Sequence, residues 1–184
     1  MTDIKIKKRL SVKAQTIATF LAIAASVIIP QICHVVGKNA GIGNALGELL
    51  LPMHLPILLV GLMAGPYAGA VSGALAPLVS FALTGMPSEA VLPFMMIELC
   101  VYGLVCGILR SNSLSPFLKV LISQVAGRGA RALAVVIAFY GFNGMIAPIS
   151  VWNGVKAGVI GIILQLALIP LIVFKVENAD RKSN

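Results

Sequence analysis

Long apolar runs alternate with short polar or Gly/Pro-marked connections along the whole chain. Crossing a hydrocarbon core takes roughly 20 residues of helix. Six runs approach or reach that length: Val12 to Val36, closed by Pro30, Gln31 and His34; a short run, Leu49 to Ala64; Tyr67 to Leu83, with Pro77 inside; Val91 to Leu109; Phe117 to Tyr140; and Trp152 to Phe174. The connections carry turn chemistry. Gly37 to Glu48 is polar and glycine-rich, Gly65-Pro66 is a tight break, Thr84 to Glu89 is a turn, Arg110 to Pro116 is a loop, and Gly141 to Gly144 opens a further connection. The pattern predicts an all-α membrane protein, a bundle of six transmembrane helices forming a single domain over residues 1-184. An even number of spans puts both termini on one side.

Composition agrees with the pattern. Of 184 residues, 59% are hydrophobic and 11% charged, and the mean hydropathy is +1.00. A soluble domain carries about 25% charged residues, so this chain cannot cover a water-facing surface. A soluble enzyme or a nucleic-acid-binding domain is excluded. The net charge of +8 is juxtamembrane charge. With the termini inside, Lys5, Lys7, Lys8, Arg9, Lys13, Arg110, Lys119, Lys175, Arg181 and Lys182 are all inner, and the outer connections hold Lys38 alone. The positive-inside rule then makes the basic N-terminus (1-11), the 110–119 loop and the tail (175-184) cytoplasmic. Cys33, Cys100 and Cys106 lack metal or redox spacing and read as small apolar residues. No cleavage site follows the basic N-terminus, so the first run reads as a retained span.

Ionisable residues within spans are costly and point to function. They are His54, Glu98, Arg128, Arg131 and Lys156. With a rise of about 1.5 Å per residue, His54 lies about 6 Å below the outer end of its span, Glu98 about 10 Å, Lys156 about 6 Å, Arg131 about 13 Å and Arg128 about 18 Å. Glu98 and Arg131 share a depth, with Arg128 one turn lower. Two readings stand: an outward-opening polar pocket with His54, Asn153 and Lys156 near its mouth, or a structural ion pair pinning two helices. Trp152 reads as an interface anchor or a stacking face, and Tyr102 as core or a stacking face. Gln165 is deeper and suits an interhelical hydrogen bond. Ala14, Ala18, Ala22 and Ser26 repeat every four residues on one face of the first helix. That stripe allows close approach of another helix, either in this bundle or in a second membrane subunit. No nucleophile–base set, paired-His metal motif or nucleotide loop is present, so no catalytic residue, metal or cofactor is expected.

Leu51-Pro-Met-His-Leu-Pro56, Gly61-Leu-Met-Ala-Gly-Pro66, Gly85-Met-Pro87 and Glu98-Leu-Cys-Val-Tyr-Gly103, with Gly127-Arg128 and Gly161-Ile-Ile-Leu-Gln165, resemble the substrate-binding S components of energy-coupling factor (ECF) vitamin transporters. Within them the chain looks most like the hydroxymethylpyrimidine or vitamin B6 branch. The resemblance implies a capture subunit in a prokaryotic plasma membrane. It would bind a vitamin from outside, dock on a membrane T component served by two cytoplasmic ATPases, and topple to deliver its cargo. It also implies that the Ala14, Ala18, Ala22 stripe is the docking surface, and that the loop from about Gln31 to Leu50 caps an outward site.

The glycines of that loop (Gly37, Gly41, Gly43, Gly47) suit a mobile gate. The chemistry of the residues suggests His54 and Asn153 as partners of ring substituents, Glu98 as an acceptor, Arg128 or Arg131 as its holder or as a partner of a ring oxygen, and Trp152 and Tyr102 as stacking faces. An anionic cargo such as pantothenate would instead use Arg131 and Lys156 directly, and a thiamine precursor is another possible cargo. A free-standing secondary transporter is the alternative of a different class, with Glu98 as its one buried carboxylate. An intramembrane enzyme would need a nucleophile–base pair at one depth, and none can be placed.

Overall fold

The computed structural model describes residues 10–43 and 45–183. Lys5, Lys7, Lys8 and Arg9 lie outside the described residues, as do the side chains of Arg181 and Lys182. The elements are α1 (Val12–Asn39), α2 (Ala45–Leu50), α3 (His54–Ala64), α4 (Pro66–Thr84), α5 (Leu92–Leu109), α6 (Pro116–Phe142), α7 (Ile149–Ala157) and α8 (Val159–Ser183), with no strand among the described residues. Among the described residues six segments are long and apolar enough to cross a membrane: α1, residues 45–64, α4, α5, α6 and Val159–Val176.

Local sequence explains the helix ends. Ser11 and Ser115 cap α1 and α6, their hydroxyls accepting from the backbone N–H of Ala14 and Leu118. Pro116 occupies the first turn of α6, where no N–H is needed. The chain turns from α3 into α4 at Gly65, whose φ of 111° favours glycine, and Pro66 starts the next helix. Gly85 and Asn143 end α4 and α6 in the left-handed conformation.

In the core α5 packs against α4, α3 and α6. The α4–α5 contact is backbone on backbone. A Cβ on Gly69 would overlap the backbone of Gly103, one on Gly103 would overlap Gly69, and one on Gly73 would overlap the backbone of Leu99. Gly61 of α3 likewise meets the Gly103 carbonyl. Around this contact Ile57, Leu58, Leu99, Tyr102, Cys106, Val120 and Ile169 form the buried core.

Four expectations are corrected. Pro30 does not end the first span: α1 continues to Asn39, because backbone groups released in an apolar medium find no water partner. The expected cap of residues 31–50 is therefore mostly helical, and of its glycines only Gly41 and Gly43 take positive φ. The sixth span begins at Val159, leaving Trp152, Asn153 and Lys156 on the separate helix α7. The small-residue stripe faces inward: Ala18 and Ala22 pack with Val60, Ala64 and Ala68, and the buried Ser26 hydroxyl donates to the Met53 carbonyl at 3.3 Å. Ala22 and Ser26 are buried there and Ala18 is half-buried, while half-buried Ala14 lies outside that contact.

Candidate functional site

Glu98 lies in the middle of α5, 1% exposed. A carboxylate at that depth needs partners, and the surrounding helices supply them. Tyr102, one turn along, donates its hydroxyl to Glu98 Oε1 at 2.7 Å. Arg131 Nη1 donates to Oε2 at 2.8 Å. Arg128 Nη1 stands 4.0 Å from Oε1, its three-residue offset placing it on the same face of α6 as Arg131. Gly127 makes the approach possible, since a Cβ there would overlap the Tyr102 ring. His54, at the start of α3, completes the cluster with Nε2 3.9 Å from Oε1. Thus His54, Glu98, Tyr102, Arg128 and Arg131 come together, and Arg131 is the direct partner of Glu98.

The Tyr102 ring is fully buried, packed on Gly127 and tilted against the His54 imidazole at a centroid distance of 5.4 Å. No face of it is open to stack on a ligand.

Above His54 is a cavity of about 190 Å³. Its wall is formed by Gln31 and His34 of α1, Gly47 and Glu48 of α2, Leu51–His54, Ser80 of α4, Met86-Pro87 and Met95 of α5. The lining is mainly apolar, with a few polar groups, as in small-molecule sites. The Nδ1 atoms of His34 and His54 are buried without a hydrogen-bond partner. Helix α2 rests directly on His34, since a Cβ on Gly47 would stand 2.7 Å from the imidazole Cε1. The α1–α2 hairpin therefore roofs the cavity, and His54 is shared between its floor and the charged cluster below.

Trp152, Asn153 and Lys156 do not line this cavity. They are exposed on α7, with the Lys156 ammonium 5.5 Å above the Trp152 ring centroid. The sequence reading missed Gln31, His34, Glu48, Ser80 and Met95. Gln31 and His34 are three residues apart and share a helix face, but that signal requires α1 to continue through Pro30.

The interhelical bond expected of Gln165 is present. Gln124 of α6 donates to Gln165 Oε1 at 2.8 Å, and Gln165 donates to the Leu51 carbonyl at 3.1 Å. Leu51 has a φ of 48°, a rare conformation for leucine. Gly161 lets α8 approach this bend, since a Cβ there would stand 2.6 Å from the Leu50 carbonyl carbon. Gln165→Leu is expected to lower stability by about 0.5–1.7 kcal/mol and to increase hydrogen exchange at residues 45–53. Unchanged exchange there would show that the bend is held by packing alone.

Among the described residues no group of three or more His, Cys, Asp or Glu is placed to hold a metal ion. No protein-family model, no curated protein and no solved structure matches the chain. The functional reading therefore rests on the geometry and on the sequence motifs.

Proposed function

We propose that the chain is the substrate-capture subunit of an ATP-driven vitamin importer of the energy-coupling factor kind, taking a small heteroaromatic vitamin or precursor of the hydroxymethylpyrimidine or pyridoxine type. The observation that carries the reading is the small, mostly apolar cavity at one end of a six-helix bundle, roofed by a hairpin and floored by a buried imidazole. Its volume is below the roughly 300 Å³ at which ligand pockets usually begin, which suits a single ring. Lys13, Arg110, Lys119 and Lys175 lie at the opposite ends of their helices from the cavity. The positive-inside rule then turns the cavity outward in a prokaryotic plasma membrane. Without a nucleotide loop, the chain would draw on a T component and two ATPases for energy. With Ala22 and Ser26 covered internally, docking on a T component uses other surface.

A neutral cargo fits better than an anionic one such as pantothenate. Arg131 is engaged by Glu98, Lys156 lies over Trp152, and neither lines the cavity. Secondary transport has less support, because each oxygen of Glu98 already accepts a hydrogen bond.

The test is calorimetry on the purified chain in detergent against pyridoxine, pyridoxamine and hydroxymethylpyrimidine. Tight 1:1 binding of one compound without ATP or partner subunits is expected. His54→Ala is expected to weaken it by about 1–3 kcal/mol, and Lys156→Ala to leave it unchanged. Absence of binding across the panel, or loss of binding on neutralising Lys156, would overturn the reading.

A further inference from the structure

We infer that His54 presents a hydrogen-bond acceptor to the cavity, so that the ligand is a single-ring compound that offers a hydroxyl or amino hydrogen toward the start of α3. This deepens the capture reading and rests on it. The argument begins with Glu98. Its two oxygens accept from Tyr102 and Arg131 at 2.7 and 2.8 Å, which fixes the carboxylate in place. His54 Nε2 faces Oε1 at 3.9 Å. A lone pair on a nitrogen this close to a carboxylate is repelled by it, whereas an N–H is attracted. A neutral imidazole has one N–H and one lone pair, and the neighbour of one nitrogen settles which is which. With the hydrogen on Nε2, Nδ1 carries the lone pair.

His54 is 4% exposed and lines the cavity, and its Nδ1 has no partner within the protein. An unmatched buried acceptor costs free energy, and a ligand that donates to it removes that cost. A ligand presenting only acceptors would leave both lone pairs unmatched. The floor therefore selects by polarity, while the cavity's volume of about 190 Å³ selects by size. A site built around a ligand's hydrogen rejects the analogue that lacks it, because its own polar group is left unpaired.

Two measurements test this. In the first, pyridoxine and hydroxymethylpyrimidine are titrated beside analogues whose hydroxyl or amino hydrogens are replaced by methyl groups one position at a time. The unmodified chain is expected to bind the parent at least tenfold more tightly than one methylated analogue. His54→Ala is expected to erase that difference. His54→Asn, whose carbonyl oxygen can take the place of Nδ1, is expected to keep part of it. Equal affinity for the parent and every methylated analogue would overturn the inference and leave capture standing. Absence of binding by every parent compound would defeat the capture reading and the ligand class with it.

The second measurement reads the atom directly and holds even where His54→Ala fails to fold. The chain has only two histidines, so ¹⁵N-histidine labelling gives two imidazoles, which a spectrum of His34→Gln assigns, and the measurement is made on the unmodified chain. The Nε2-protonated tautomer is expected in the free protein, with the Nδ1 resonance moving upfield when the parent compound binds. An Nδ1-protonated ring in the free protein would overturn the inference whatever the titrations show.

Discussion

Gly103→Ala is expected to force α4 and α5 apart and to cost a large share of the chain's stability. Overpacking usually costs about 1–3 kcal/mol, because neighbouring side chains can shift. Here the neighbour is the backbone of Gly69, which has no rotamer to change, so the cost should lie at or above that range. Gly69→Ala and Gly73→Ala should behave alike, since their added carbons meet the backbone of Gly103 and Leu99. Lipid tails are as apolar as the helix faces, so association in a membrane depends on close packing. Losing that packing also displaces α5, which carries Glu98 and Tyr102. Thermal unfolding in detergent, read by size-exclusion recovery, would measure the effect. Gly129→Ala is the control. Nothing lies within 4 Å of a Cβ there, and alanine in a helix interior should be neutral or stabilise by roughly 0.5–1 kcal/mol. Equal melting of Gly103→Ala and Gly129→Ala would show that the contact is looser than its geometry.

The spans were legible because their apolar runs match the length of a membrane helix, and five of the six begin within about four residues of the observed ones, in line with the usual boundary error. The sixth was not. The run from Trp152 to Phe174 contains no charge between Lys156 and its end, and a glycine within an apolar run is ordinarily tolerated, so the division at Gly158 left no mark. Depth arithmetic brought Glu98 and Arg131 together, because a straight helix converts sequence number into height. It could not show that Asn153 and Lys156 belong to α7, a separate helix before the sixth span, so the heights assigned to them assumed a helix that is not continuous there. The stripe of Ala14, Ala18, Ala22 and Ser26 was correctly legible as a place of close approach, while the identity of the approaching helix was not. The tighter contact, Gly69 against Gly103 and Gly73 against Leu99, is split between two helices and leaves no spacing pattern within either one. Gln31 and His34 read as polar residues closing the first span rather than as lining of a cavity, which removed two of the cavity's polar side chains from view.

The charged cluster yields the other large effect, and its sign depends on which partner is removed. Glu98→Gln leaves Arg128 and Arg131 without a counter-ion among the residues they contact. Removing one member of a buried pair costs about 3–5 kcal/mol, because the other charge remains buried and unmatched. Arg131→Gln should cost less, since Arg128 already stands 4.0 Å from the same carboxylate and can close on it. Arg128→Gln should cost least, because it removes the more distant of two cations sharing one anion. The double variant Arg128→Gln/Arg131→Gln should then exceed the sum of its single variants, since each arginine alone substitutes for the other. Such non-additivity is expected of neighbours with a shared partner. Tyr102→Phe, which removes a bond to a charged group, should cost about 1.5–3 kcal/mol. The order of melting temperatures decides the matter: Glu98→Gln lowest among the three charge variants, then Arg131→Gln, then Arg128→Gln. If the two arginine variants simply add, each holds Glu98 independently. If Glu98→Gln is silent, the cluster does not pin α5 to α6, and the orientation of His54 above it must come from packing alone.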